Sequence, residues 1–205
     1  MHKIIDLTHK FTKSIPVHHF DEPASIEKIR NLDAHKYNDW RLSSGMHVGT
    51  HIDGPGHLTE SKILLSDIPI DRFVAKGYLI DARCKAIDES LLKDFPTEEN
   101  LIVLILTGFD KKFGTKEYFT EHPIIPANFA EELVKHKVKM IGIDFFSPDK
   151  YPFPVHKILF YNKILIIENM TNLEKLIGLN SFNVIALPLK TETDSSLARV
   201  IAIVN

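Results

Sequence analysis

Three histidines and an aspartate crowd into eleven residues, His47-Val48-Gly49-Thr50-His51-Ile52-Asp53-Gly54-Pro55-Gly56-His57. Imidazole nitrogen and carboxylate oxygen are ligands that Zn, Mn and Fe ions take from proteins. The segment therefore points to a metal-dependent enzyme. His47 and His51 are four apart, a spacing that puts two histidines on one face of a helix, as in HExxH zinc proteases. Gly49 between them and Gly54-Pro55-Gly56 after them argue against a helix. Extended backbone serves better: at a period of two, His47, His51 and Asp53 project to one side. Gly54-Pro55-Gly56 then turns the chain and can swing His57 back toward them. A single histidine on a strand is ordinary. Three of them with an aspartate at shared parity, bounded by Gly and Pro, are not.

Two residues far downstream can complete such a site. Glu168 closes the apolar run Ile164-Leu165-Ile166-Ile167-Glu168. A carboxylate at the mouth of a buried strand is costly unless it is paired or metal-bound. His156 follows Tyr151-Pro152-Phe153-Pro154, which reads as irregular chain.

The elements that must position these groups are visible as short apolar runs. Gly77–Asp81, Leu101–Leu106, Met140–Asp144, Ile164–Glu168, Val184–Leu189 and Arg199–Val204 read as strands, the continuous ones as strands covered on both faces. Helices are expected over Asp88–Phe95, over Pro126–His136 with Pro126 at its first position, and over Leu173–Ile177. Thr171 and Glu174 form a capping-box signature for the last, and Gly178 supplies its stop. Helix–strand alternation argues for an α/β fold on a mixed sheet. The first seventy or so residues instead read as short strands and turns before any clear helix.

Composition narrows the function. At 44% hydrophobic and 25% charged residues the chain can build a core without disulfides. Its formal net charge of −2, with both signs mixed and no basic stripe, suggests neither nucleic acid nor a membrane surface as partner. Cys84 is the only cysteine, which excludes an internal disulfide and a Cys-based zinc knuckle; it reads as a small apolar residue near a strand end. No apolar signal segment or membrane span is seen, so the cytoplasm is the expected location.

The segment His47-x-Gly-Thr-His-x-Asp-x-Pro-x-His57 resembles the signature of the cyclase family of metal-dependent hydrolases, which includes bacterial kynurenine formamidases. Ile5-Asp6-Leu7-Thr8, Ile15-Pro16-Val17, Thr107-Gly108, Gly142-Ile143-Asp144 with Ser147 and Asp149, Asn172-Leu173 and Arg199 are also similar to family segments, over nearly the whole chain. The expected architecture is α/β: one domain over residues 1–205, with a mixed, barrel-like sheet flanked by helices. The resemblance implies that His47, His51 and Asp53 hold one metal, with Asp53 bridging to a second held also by His156 and Glu168. It makes His57 the acid–base residue, zinc the usual ion in one or two positions, manganese the alternative, and a homodimer or homotetramer the assembly.

Two segments depart from the family pattern. After Pro16-Val17, where formamidase-like members read Tyr or Trp and then Pro-Gly-Asp, the chain has His18-His19-Phe20-Asp21. His18 and His19 read as surface histidines, with extra pocket groups as the alternative. The closing Gly, small residue and Pro before the Arg are replaced by Ser195-Ser196-Leu197-Ala198-Arg199. Both changes bear on the substrate. Thr50, Asp144 and Asp149 are candidates to hold the ligand rings, and Phe20, Trp40 and Phe145 to line an apolar pocket.

The resulting expectation is a metal-dependent amidohydrolase. It hydrolyses a small N-formyl or cyclic amide with water made acidic by the metal, His57 passing the proton to the leaving nitrogen. The alternatives are an isatin hydrolase-like enzyme for cyclic amides or lactones, and a non-catalytic metal-binding homologue.

Overall fold

The computed structural model describes residues 3–204. The first half holds β1 (Lys3–Asp6), β2 (Ser25–Arg30), the single turn α1 (Leu32–His35), β3 (Asp39–Ser43), β4 (His51–Asp53) and β5 (Val74–Asp81). Then follow β6 (Ile102–Leu106), α2 (Lys116–Thr120), α3 (Ala127–Lys135), β7 (Met140–Ile143), α4 (Pro154–Tyr161), β8 (Leu165–Glu168), β9 (Phe182–Pro188) and β10 (Ser195–Val204). Seven strands run in the order β10-β4-β8-β7-β6-β5-β9, and β9 pairs back onto β10, closing a barrel. The β5-β6-β7-β8 stretch is parallel and the remaining pairs are antiparallel. β1 lies along β10 outside the ring, and β2 and β3 form a separate hairpin.

The apolar runs are explained by burial on both faces. Ile102, Leu104 and Leu106 point into the barrel with Ile52, Ile167, Val184 and Val200. Val103 and Ile105 point outward, where Phe129 and Leu133 of α3 and Val155 and Leu159 of α4 cover them. Each such side chain, fully buried, contributes roughly 1.5–3 kcal/mol. Inward-facing Ile52 and Ile167 place their strand neighbours His51, Asp53 and Glu168 on the barrel's outer face.

All six expected strands form, with ends shifted by a few residues. The helices differ more. Pro126 is the N-cap of α3 rather than its first residue. Asp88–Phe95 yields only a 3-10 turn over Glu89–Leu92, and Leu173–Ile177 only one over Leu173–Leu176. The capping box at Thr171 is absent because Asn172, at φ 63, occupies the cap position. Thr171 Oγ1 instead donates to Asp110 Oδ2 at 2.8 Å. His156 lies on α4, not in irregular chain: Pro154 starts that helix, where its missing N–H costs nothing. No helix among the described residues is long and apolar enough to cross a membrane.

Candidate metal centre

Backbone register brings the groups together. In the antiparallel β4–β8 pair His51 stands directly opposite Glu168, so both side chains share the outer face with Asp53. The strand does not reach back to His47. Gly49 adopts φ +67 and a Cβ there would stand 2.8 Å from Ile15 Cδ1, so the chain bends and His47 arrives from a turn. Gly54 N donates to Asp194 O at 2.8 Å, an approach that a Cβ, 2.8 Å from the same oxygen, would obstruct. The 3-10 turn Pro55–His57 then returns the His57 ring to 4.1 Å from that of His47. Asp149 does two things for α4. Its Oδ2 accepts from the Val155 and His156 amides, and its Oδ1 lies 2.5 Å from His156 Nδ1.

The inward atoms converge in ion-pair contact, His47 Nδ1 standing 2.9 Å from Asp53 Oδ1. His51 Nε2 lies 3.4 Å from Asp53 Oδ1 and 3.4 Å from Glu168 Oε2, and His156 Nε2 lies 3.4 Å from Glu168 Oε1. Yet His51 Nε2, Asp53 Oδ1 and Glu168 Oε1 are buried with no hydrogen-bond partner. Unsatisfied buried groups of this kind are expensive, and a cation between them would remove the cost. Ligand atoms of His51, Asp53 and Glu168 lie within 4.8 Å of one another, as do those of His47, Asp53 and His57. Asp53 belongs to both groups, and Glu168 reaches from His51 to His156. The residues present therefore fit one or two divalent ions.

Electrostatics agree. Burial would lower His51 and His156, but Asp53 and Glu168 hold His51 well above its ordinary value, while Asp149 and Glu168 raise His156 to about 10. Burial would raise Asp53 and Glu168, yet the neighbouring imidazoles hold both carboxyls down. The site demands positive charge, which protons meet in its metal-free form. His57 differs: burial dominates and lowers it.

All six expected residues, His47, His51, Asp53, His57, His156 and Glu168, thus lie in one neighbourhood. Of the candidates to hold the rings, only Asp149 does so. Thr50 Oγ1 donates to Asn169 O, and Asp144 accepts from Thr107 and Gly108 at the end of β6. Asp144 is pushed up to about 6 by burial, against those hydrogen bonds.

A cavity of ≈ 500 Å³ opens over His47, Asp53, His57, His156 and Glu168. Phe20 lines it as expected, but Trp40 is exposed on the hairpin and Phe145 is buried in the outer core. Phe119, Phe146, Tyr151 and Phe153, which have no periodic sequence signal, form the other walls. His18 is a wall residue rather than surface, stacked on Phe146 with ring centroids 5.1 Å apart.

The chain belongs to the Cyclase family, whose model, described as "Putative cyclase", matches residues 5–150. It is 40% identical over 162 residues to an uncharacterized protein of Methanocaldococcus jannaschii, covering 78% of this chain and 79% of that one. It is 28% identical over 203 residues to the kynurenine formamidase of Bacillus mycoides, covering 96% and 95%. Among solved structures, isatin hydrolase A from Ralstonia solanacearum superposes with a TM-score of 0.89 at 22% identity, over 100% of this chain and 92% of that one. At that identity the likeness is one of fold.

Proposed function

We propose that this chain is a metal-dependent amidohydrolase acting on a small N-formyl or cyclic amide. The observation that carries this reading is the trio of buried ligand atoms on His51, Asp53 and Glu168 that make no hydrogen bond, beside an aromatic-walled cavity. Similarity to a kynurenine formamidase along nearly the full length supports it. His47, His51, Asp53, His156 and Glu168 would hold zinc or manganese, with Asp53 common to both groups of candidate ligand atoms. Bound there, the metal supplies Lewis acidity and a water acidic enough to attack at neutral pH.

The chain's own groups do the rest. His57, lowered by burial, is a neutral imidazole at pH 7 and lines the cavity. It accepts the proton of the attacking water and returns it to the departing nitrogen. Aromatic walls offer faces on which a planar substrate can stack.

Parallel turnover of N-formylkynurenine, isatin and a simple lactone on protein loaded with zinc or manganese tests the proposal. Hydrolysis of none of them sinks it. His57→Ala should cut kcat ~10²–10⁴-fold with metal content by elemental analysis unchanged. Wild-type turnover in that variant removes the acid–base role.

A further inference from the structure

We infer that Ser195, backed by Asp194, is the positioning residue that presents His47 Nδ1 to the metal; this rests on the metal-centre reading above. The two other ligand histidines each have an acceptor behind the ring. Gly49 O lies 2.8 Å from His51 Nδ1, and Asp149 Oδ1 lies 2.5 Å from His156 Nδ1. A carbonyl or carboxylate oxygen only accepts, so it fixes the proton on Nδ1 and leaves the Nε2 lone pair facing the site.

His47 is turned the other way. Its Nδ1 lies 2.9 Å from Asp53 Oδ1, and its Nε2 lies 2.9 Å from Ser195 Oγ. A hydroxyl can give or take a hydrogen, so this contact alone leaves the tautomer open. Asp194 decides it. Ser195 Oγ donates to Asp194 Oδ1 at 3.0 Å, and a hydroxyl has one hydrogen. Its lone pair is therefore what faces Nε2, and Nε2 must carry the proton. Nδ1 then offers its lone pair beside Asp53 Oδ1, which has no hydrogen-bond partner.

The contact is built into the fold. Ser195 is 1% exposed and pairs directly opposite Asp53 across β4 and β10, so the two side chains share a face. Its carbonyl accepts from Thr193 Oγ1 at 2.7 Å, and the Asp194 carbonyl accepts from Gly54 N at 2.8 Å. The segment behind His47 is thus fastened on both sides.

Two measurements test the assignment. In zinc-loaded protein labelled with ¹⁵N-histidine, two-bond ¹H–¹⁵N ring spectra should show His47 protonated at Nε2, against Nδ1 for His51 and His156. Competition with a chromogenic chelator should show Ser195→Ala binding Zn2+ and Mn2+ about 10–100-fold more weakly. Asp194→Ala, which frees the hydroxyl hydrogen to turn toward Nε2, should weaken binding in the same direction. A His47 ring protonated at Nδ1, or Ser195→Ala with wild-type affinity, overturns the inference. Wild-type protein that binds neither ion overturns instead the metal-centre reading on which it stands. The spectra need only wild-type protein, so a variant that fails to fold does not shield the claim.

Discussion

The floor of the cavity and its walls are built on different principles. On the floor, His51 and Asp53 are essentially buried, held by strand register against Glu168 and, through Ser195, against β10. On the walls, Phe20 is 83% exposed and Tyr151 86%, and both come from loops. His51, Asp53 and Glu168 are fixed by paired backbone, whereas Phe20 and Tyr151, which line the cavity, are carried on irregular chain. Substrate preference can therefore change without disturbing the floor.

The sharpest way to break this contrast is at Asp53, the carboxylate common to both ligand groups. Asp53→Ala should lower hydrolysis of every substrate by more than about 10³-fold and deplete metal, read by elemental analysis. Chelation of the wild type should act likewise and lower Tm by roughly 5–10 °C, since an ion at about a hundred times its Kd adds roughly 2.7 kcal/mol. Retained turnover in metal-free protein would contradict the division. A wall substitution should be milder and selective. Phe146→Ala removes the ring stacked under His18 and should change KM about tenfold for aromatic substrates, with metal content and small-amide turnover intact. Equal losses for all substrates would show that the wall also supports the floor.

The last test concerns pH. In metal-free protein His156 is raised from 6.5 to about 10, so the folded state keeps a proton that the unfolded chain releases. Its stabilisation is complete below about 6.5 and is lost as pH climbs toward about 10. Melting temperatures of chelated protein should fall across that window, and those of loaded protein should fall less, because a bound cation takes the proton's place. Parallel curves for the two forms would count against a shared site.

The same division separates what could be read along the chain from what could not. β6, β7 and the start of β8 are continuous apolar runs, and two-sided burial makes such runs conspicuous. The candidate ligands were legible by residue type and spacing, although strict alternation holds only from His51 to Asp53 and the bend at Gly49 brings in His47 by another route. The helix carrying His156 was hidden because Pro152 and Pro154 look like breakers, while Pro154 opens it and Asp149 caps it from a distance. Ser195 showed only as a departure from a pattern. Its partner His47 is 148 positions away, and nothing local announces so distant a hydrogen bond.

The closing strand has one more consequence. β10 is the last strand in chain order, yet it inserts between β4 and β9 and completes the ring. Without residues 195–204, β4 would have a bare edge and His47 no hydroxyl at its back. Any variant that loses this strand therefore opens the ring and the rim of the candidate metal centre at one stroke.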